Sequence, residues 1–130
     1  MRAQFFDRQD TGNPLNGAVL EDPEALRTIV QDMQSRAPFL AELIGTNGRT
    51  LLLGLGCSDG CVQFSSTDGT PPYLMAVRDN AEQGEQDFLI CNTPTPVPRR
   101  YCLPMQRVAE IAAAFLEHGE RYSDVEWEEI

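Results

Sequence analysis

The spacing most suggestive of chemistry is that of Cys57 and Cys61, which flank the residues Ser-Asp-Gly. Two cysteines at this distance resemble half of a structural zinc site, but such a site needs four ligands, usually supplied as two close pairs. The remaining cysteines, Cys91 and Cys102, are far apart in the sequence, and the chain has one histidine, His118. The segment therefore predicts a β-turn between two buried thiols rather than a metal site. Whether these two thiols can form a disulfide stays open.

Neither a nucleophilic site nor a phosphate-binding loop is predicted. A cysteine hydrolase needs a thiolate beside an imidazole and an orienting group, and no cysteine here lies in a sequence that resembles a nucleophile turn. His118 falls at the end of a predicted helix, where the helix dipole favours a cation. Gly54, Gly56 and Gly60 have the wrong spacing for a dinucleotide loop and precede a strand instead of a helix. We therefore expect a protein that is not an enzyme and that uses neither a metal nor another cofactor.

The carboxylates, in contrast, cluster in two places. One group lies on the last predicted strand and comprises Asp124, Glu126 and Glu128. The other lies in a polar loop and includes Glu82 and Glu85. Acidic runs are often simply solvated faces, but they also suit a docking surface for a basic partner.

The overall charge agrees with that choice of partner. The 130 residues make one domain, 1–130, with 20 acidic and 10 basic residues and a formal net charge of −10. Phosphate contacts need clustered cations, so this balance argues against binding nucleic acid or an anionic membrane. Acidity that serves only solubility is the alternative. We find no apolar stretch long enough for a signal peptide or a membrane span, and we expect a cytoplasmic protein.

The helices and strands that would position these carboxylates are predicted from the periodicity of apolar residues and from helix-capping residues. Asp22-Pro23 predicts the start of one helix, and a second helix is predicted over Leu103–Glu117, with Pro104 in its first turn and Gly119 at its end. The predicted strands are 3–8, 39–44, 50–55, 60–66, 73–78, 88–91 and a final one around Trp127, with an extended crossing segment at 92–100. The pattern predicts an α+β fold, a mostly antiparallel sheet of about five to six strands with two main helices packed on it. The residues leave open whether the last strand lies at an edge or centrally, and whether Trp127 is a core anchor or an interface contact.

The C-terminal part of the chain resembles a known family. A proline-started, alanine-rich helix is followed by Gly119-Glu-Arg, a short gap and Val125-Glu-Trp-Glu-Glu-Ile. This order is similar to that of the Imm1 immunity proteins, which protect bacteria from polymorphic toxins, several of them nucleic-acid deaminases. The resemblance covers Leu103–Ile130, is looser over Arg49–Arg100, and extends to the first 48 residues only in general layout. Tyr122 stands where the family pattern leads us to expect a proline.

The resemblance implies an antitoxin function without chemistry of its own. The protein would bind a cognate secreted toxin, a basic deaminase or nuclease, and block its active-site cleft. The toxin-binding residues we then expect are Asp124, Glu126, Glu128, Glu82 and Glu85. Two alternatives are a non-inhibitory adaptor or secretion chaperone, and a small ligand-binding or enzymatic domain, which would need a concave pocket with convergent polar groups.

Overall fold

The computed structural model describes residues 1–56, 58–78 and 83–130, and within these ranges the chain forms two α-helices and ten strands. The strands are β1 (Ala3–Asp7), β2 (Ala18–Leu20), β3 (Phe39–Gly45), β4 (Arg49–Leu55), β5 (Asp59–Ser66), β6 (Leu74–Val77), β7 (Glu85–Ile90), β8 (Thr93–Pro98), β9 (Leu103–Pro104) and β10 (Glu126–Glu129). The helices are α1 (Pro23–Asp32) and α2 (Met105–His118), and a 3-10 turn spans Arg99–Tyr101. The predicted α+β class is confirmed, with more strands than expected.

The main sheet is antiparallel and runs in the order β10-β6-β5-β4-β3-β1-β2. Its centre is the β3–β4 hairpin, whose turn contains Asn47-Gly48, with Gly48 at a φ of 79° as the Asn-Gly signal predicts. Leu51, Leu53 and Leu55 of β4 are fully buried against the helices, as expected for a central strand. The last strand, β10, lies at an edge beside β6, which settles the alternative left open by the sequence.

Both helices pack on one face of this sheet, and their caps follow the sequence signals. The Asp22 carboxylate accepts a hydrogen bond from the backbone N–H of Glu24 (2.9 Å) at the start of α1. Gly119 ends α2 in the left-handed conformation, with a φ of 75°. The second helix begins at Met105 rather than at Leu103, because residues 103–104 form β9 and pair with the start of β5. Neither helix in the described ranges is both long and apolar enough to cross a membrane.

The opposite face of the sheet is covered by the β7–β8 hairpin. Phe88 and Val97 of the hairpin are buried in a second cluster with Leu40 and Met75 of the sheet. The hairpin turns at Cys91 and Asn92, whose φ angles of 47° and 63° are those of a two-residue type I′ turn. A mostly antiparallel sheet therefore carries a hydrophobic layer on each side.

The segment predicted at 92–100 is extended over most of its length, but the prediction that it is a crossing connection is wrong, because it forms the hairpin strand β8 and the start of the 3-10 turn. Its prolines are Pro94, Pro96 and Pro98, which alternate along the strand. Thr93 flanks the two-residue turn, so its backbone N–H and C=O groups point toward β7. The backbone N–H of Arg99 also points that way, because it donates to the carbonyl of Gly84 (3.0 Å). The prolines therefore face away from β7, at outward positions where an edge strand needs no N–H group.

Asp7 organises the turn-rich segment 9–17 that follows β1. Its side chain is 0% exposed and accepts hydrogen bonds from Arg36 Nη1 (2.7 Å), Asn13 Nδ2 (3.0 Å) and two backbone N–H groups of the following turn. Burial alone would raise the pKa of Asp7, but the hydrogen bonds from Arg36, Asn13 and the backbone outweigh it and hold the pKa below the usual value. This carboxylate ties β1, its loop and the segment after α1 together.

Candidate functional site

Trp127 fixes the edge strand β10 to the rest of the protein. Its half-buried ring packs against the helix-side core and meets the ring of Phe64 edge-on, with centroids 6.2 Å apart. The indole Nε1–H donates to the backbone carbonyl of Tyr122 (3.0 Å), so the polar atom of the side chain is also satisfied. The structure thus places Trp127 in the role of a core anchor, while its neighbours on the strand carry the charge.

Asp124 and Glu126 line one cleft beside this strand. The cleft has a volume of about 500 Å³ and lies between the end of β6, β9, the first turns of α2 and residues 123–126. Both acidic residues are exposed, and no ion pair engages either carboxylate within the described part of the chain. These two carboxylates are therefore available to a cation from outside the molecule.

Two arginines line the same cleft, and each is already paired. Arg78 Nη1 lies 3.3 Å from Asp59 Oδ2, and Arg107 Nη1 lies 3.1 Å from Glu110 Oε2. The hydrogen bond that Arg107 donates to Glu110 raises the pKa of Arg107, and the negative charge of Asp124 adds to the shift. The pairing of Arg78 with Asp59 is not predictable from the sequence, because the fold brings these two residues together, whereas Arg107 and Glu110 lie three residues apart on α2. The cleft is consequently a site of mixed charge, in which the unpaired groups are acidic.

Glu128 lies on the same side of β10 as Glu126 but is engaged within the protein. Its carboxylate accepts hydrogen bonds from Arg100 Nη2 and from the hydroxyl of Tyr101 (2.9 Å). Burial, and then the bond and charge of Glu128, raise the pKa of Tyr101. Glu128 thus ties the edge strand to the 3-10 turn, and its side chain remains 40% exposed.

The loop carboxylates are set apart from this group. Glu85 is exposed at the first position of β7, opposite Pro98, and no hydrogen bond or ion pair within the described ranges joins it to β10. Its link to the strand is indirect, because β8 leads from Pro98 into the turn that holds Glu128. Glu82 lies outside the described residues. Of the expected toxin-binding residues, Asp124, Glu126 and Glu128 therefore share one region.

A second concave feature, an apolar groove of about 420 Å³, separates β8 from the sheet. Its lining includes Leu40, Met75, Val97, Tyr101 and Ile130. The groove is not predictable from the sequence, since it depends on how the β7–β8 hairpin lies on the sheet. Few polar groups converge there, so the groove lacks the arrangement expected of an enzyme pocket.

The cysteine motif does not form a reactive site in the described residues. Cys61 is buried, and burial followed by the nearby thiol of Cys102 raises its pKa to about 12, so it stays a neutral thiol. Cys57 lies outside the described residues, and the disulfide question with it. The β-turn predicted between the two cysteines is wrong at its second half, because Asp59 and Gly60 already belong to β5 and pair with β9. No group of three or more potential metal ligands occurs in the part of the chain that the structure describes.

Comparison with known proteins identifies the family of this chain. The family model described as Immunity protein Imm1 matches residues 17–129. A search of curated proteins returned no match. The matched range includes both helices, the β7–β8 hairpin and the whole of the last strand, β10. The chain belongs to the Imm1 family of immunity proteins.

Proposed function

We propose that this protein is the cytoplasmic antitoxin of a polymorphic toxin system and that it binds one secreted toxin and covers the active-site cleft of that toxin. Membership of the Imm1 family supports a cognate toxin as the partner. We further propose that the toxin is a basic enzyme acting on nucleic acid, in the first place a deaminase. The observation that carries this choice is that Asp124 and Glu126, neither of which forms an ion pair with the described residues, lie in one cleft of a protein with a net charge of −10.

The physical reason is electrostatic. An enzyme that acts on nucleic acid attracts phosphates with clustered cations, and an inhibitor with opposing carboxylates gains both encounter rate and complementarity. Asp124 and Glu126 would make the central contacts, because they can pair with a cation without breaking an ion pair to the described residues. Asp124 accepts a hydrogen bond from the Tyr122 hydroxyl (3.4 Å) through one oxygen, and its other oxygen would face the cation. Glu128 would also contact the toxin with the exposed part of its side chain, and Glu85 and Glu82 would contact the toxin at the periphery.

The first experiment is co-expression with the C-terminal domain encoded immediately upstream of this gene, with cell survival and co-purification measured together. Survival with a one-to-one complex is the expected result. Cytosine deamination would leave base transitions in the genomes of partly protected cells, whereas a nuclease would leave strand breaks. A stable complex without survival would identify a non-inhibitory adaptor, and neither survival nor a complex would overturn the proposed function.

Charge reversal then tests the contact residues. Glu126→Lys should weaken toxin binding by at least about tenfold at low salt, because an opposite charge in the cleft becomes a like charge. Asp32→Lys is the matched control, since Asp32 is an exposed acid at the end of α1 that makes no ion pair with the described residues and does not line the cleft. Equal affinity of the two variants would show that the cleft does not contact the toxin.

A further inference from the structure

The strand edges of this protein are not equally open. The outward positions of β8 are held by Pro94, Pro96 and Pro98, which have no N–H group to offer a further strand. At the other end of the main sheet, β2 has 3 residues, which is too short to support an added strand of ordinary length. The other end of the main sheet, β10, contains no proline and has 4 residues, and the hydrogen bond from Ile130 to Tyr73 extends its pairing by one more residue.

The register of β10 shows which of its backbone groups are free. The N–H of Ile130 donates to the carbonyl of Tyr73 (3.0 Å), so Ile130 faces β6, and Glu128 and Glu126 face it with the period of two of an antiparallel pair. The N–H and C=O groups of Trp127 and Glu129 therefore point outward. No hydrogen bond from the described ranges reaches these four groups.

We propose that the toxin binds by adding one of its own extended segments, with basic side chains at alternate positions, to the outer edge of β10. This inference rests on the proposed function and deepens it, because it names the mode of binding. Backbone hydrogen bonds to Trp127 and Glu129 would join the two sheets, and pockets and charges beside alternate side chains would select the partner.

The side chains of the strand define the partner segment. On one face, the added strand would lie beside Glu126, Glu128 and the exposed Ile130. On the other face it would lie beside Trp127 and Glu129. Lysine or arginine is expected next to each carboxylate and an apolar residue next to Ile130. Pairing of β10 with a second copy of this chain is disfavoured, because it would bring glutamates together on two molecules that each carry a net charge of −10.

Amide hydrogen exchange measured by NMR tests the backbone contacts directly. The probe is the C-terminal domain encoded immediately upstream, added to the full-length protein. In the complex, the amides of Trp127 and Glu129 should exchange at least about tenfold more slowly than in the free protein, since a new hydrogen bond must open before exchange. The amides of Glu128 and Ile130 face β6 in both states and serve as internal controls. Unchanged exchange at Trp127 and Glu129 in a complex that protects cells would overturn strand addition and leave the proposed function intact.

A pair of substitutions provides a second, independent readout. Glu129→Pro removes the side-chain charge and the outward N–H, whereas Glu129→Ala removes the charge alone. Neither substitution removes a donor to β6, so both proteins should keep the β6–β10 ladder. The proline variant should bind the toxin domain about tenfold more weakly than the alanine variant, because one backbone carbonyl of the partner is left unpaired. Equal affinities of two folded variants would contradict strand addition. Should the proline variant fail to fold, the exchange experiment on the unmodified protein decides. Absence of binding by the unmodified protein would overturn the proposed function itself.

Discussion

Replacing Trp127 by alanine separates the role of a core anchor from that of an interface contact. The ring meets Phe64 with centroids 6.2 Å apart at an interplanar angle of 65°, an aromatic contact that contributes about 1 kcal/mol. The Nε1 bond to Tyr122 contributes about 1 kcal/mol more. Loss of the apolar burial of this half-buried indole adds about 1 kcal/mol. The free energy of unfolding should therefore fall by about 3 kcal/mol, equivalent to a decrease of roughly 10 °C in the melting temperature of a domain this size.

Trp127→Phe is the matched variant, because it retains most of the ring contact and removes the indole N–H. It should lower the free energy of unfolding by about 1 kcal/mol. Both variants can be measured by urea denaturation at pH 7, followed by circular dichroism, and their affinity for the toxin domain by titration calorimetry well below the melting temperature. We expect stability to change far more than affinity, because the backbone groups that face the edge are the same in all three proteins.

The opposite outcome would refute the structural reasoning. If Trp127→Ala unfolded at the same urea concentration as the unmodified protein but bound the toxin about a hundredfold more weakly, the side chain would be an interface hot spot and not an anchor of β10.

Two further substitutions test how the layers are held together. Asp7→Asn should lower the free energy of unfolding by about 2 kcal/mol at pH 7, because Arg36 loses a charged partner. Since the folded-state pKa of Asp7 lies below its unfolded value, the unmodified protein has this stabilisation above about pH 4 and loses it as the pH falls through the folded pKa. Urea titrations should show the difference between the two proteins shrink in acid, and a constant difference down to pH 3 would contradict it. Gly60→Ala should cost more than about 3 kcal/mol, because the added Cβ would lie 2.1 Å from the carbonyl oxygen of Gly54. Gly12→Ala, whose Cβ would meet nothing closer than 3.4 Å, should change the melting temperature little, and equal melting curves for the two alanine variants would show that β4 and β5 can separate at this point.

The sequence predicts best where local chemistry decides the conformation. Asp22 caps α1 through its own side chain, Gly119 ends α2 because glycine adopts the left-handed conformation without strain, and Asn47-Gly48 forms the turn of the central hairpin. Each of these signals acts within a few residues, so a single sequence contains all the information. The prolines of β8 misled the prediction because their effect depends on which side of the strand they face, and the hairpin register decides that.

The same distinction applies to the candidate site. The acidic alternation around Trp127 predicts a strand with carboxylates on one side, and Asp124 and Glu126 do line one cleft. The sequence does not show that Glu128 is held by Arg100 and Tyr101, because that contact joins residues brought together by the turn after β8. Which carboxylates are free is therefore a property of the tertiary structure.

Packing and charge are carried by different residues of β10, so substitutions along this strand differ in their effect on stability. Trp127 carries the packing of the strand, whereas the exposed Glu126 and Glu129 contribute no core contact. Surface substitutions of this kind usually alter the free energy of unfolding by less than about 0.5 kcal/mol. Mutations at these two positions are therefore expected to be nearly neutral for folding, and under the proposed function their main effect would be on binding of the partner. Under the proposed function, the surface of β10 could therefore change with a changing toxin without a change in the hydrophobic core.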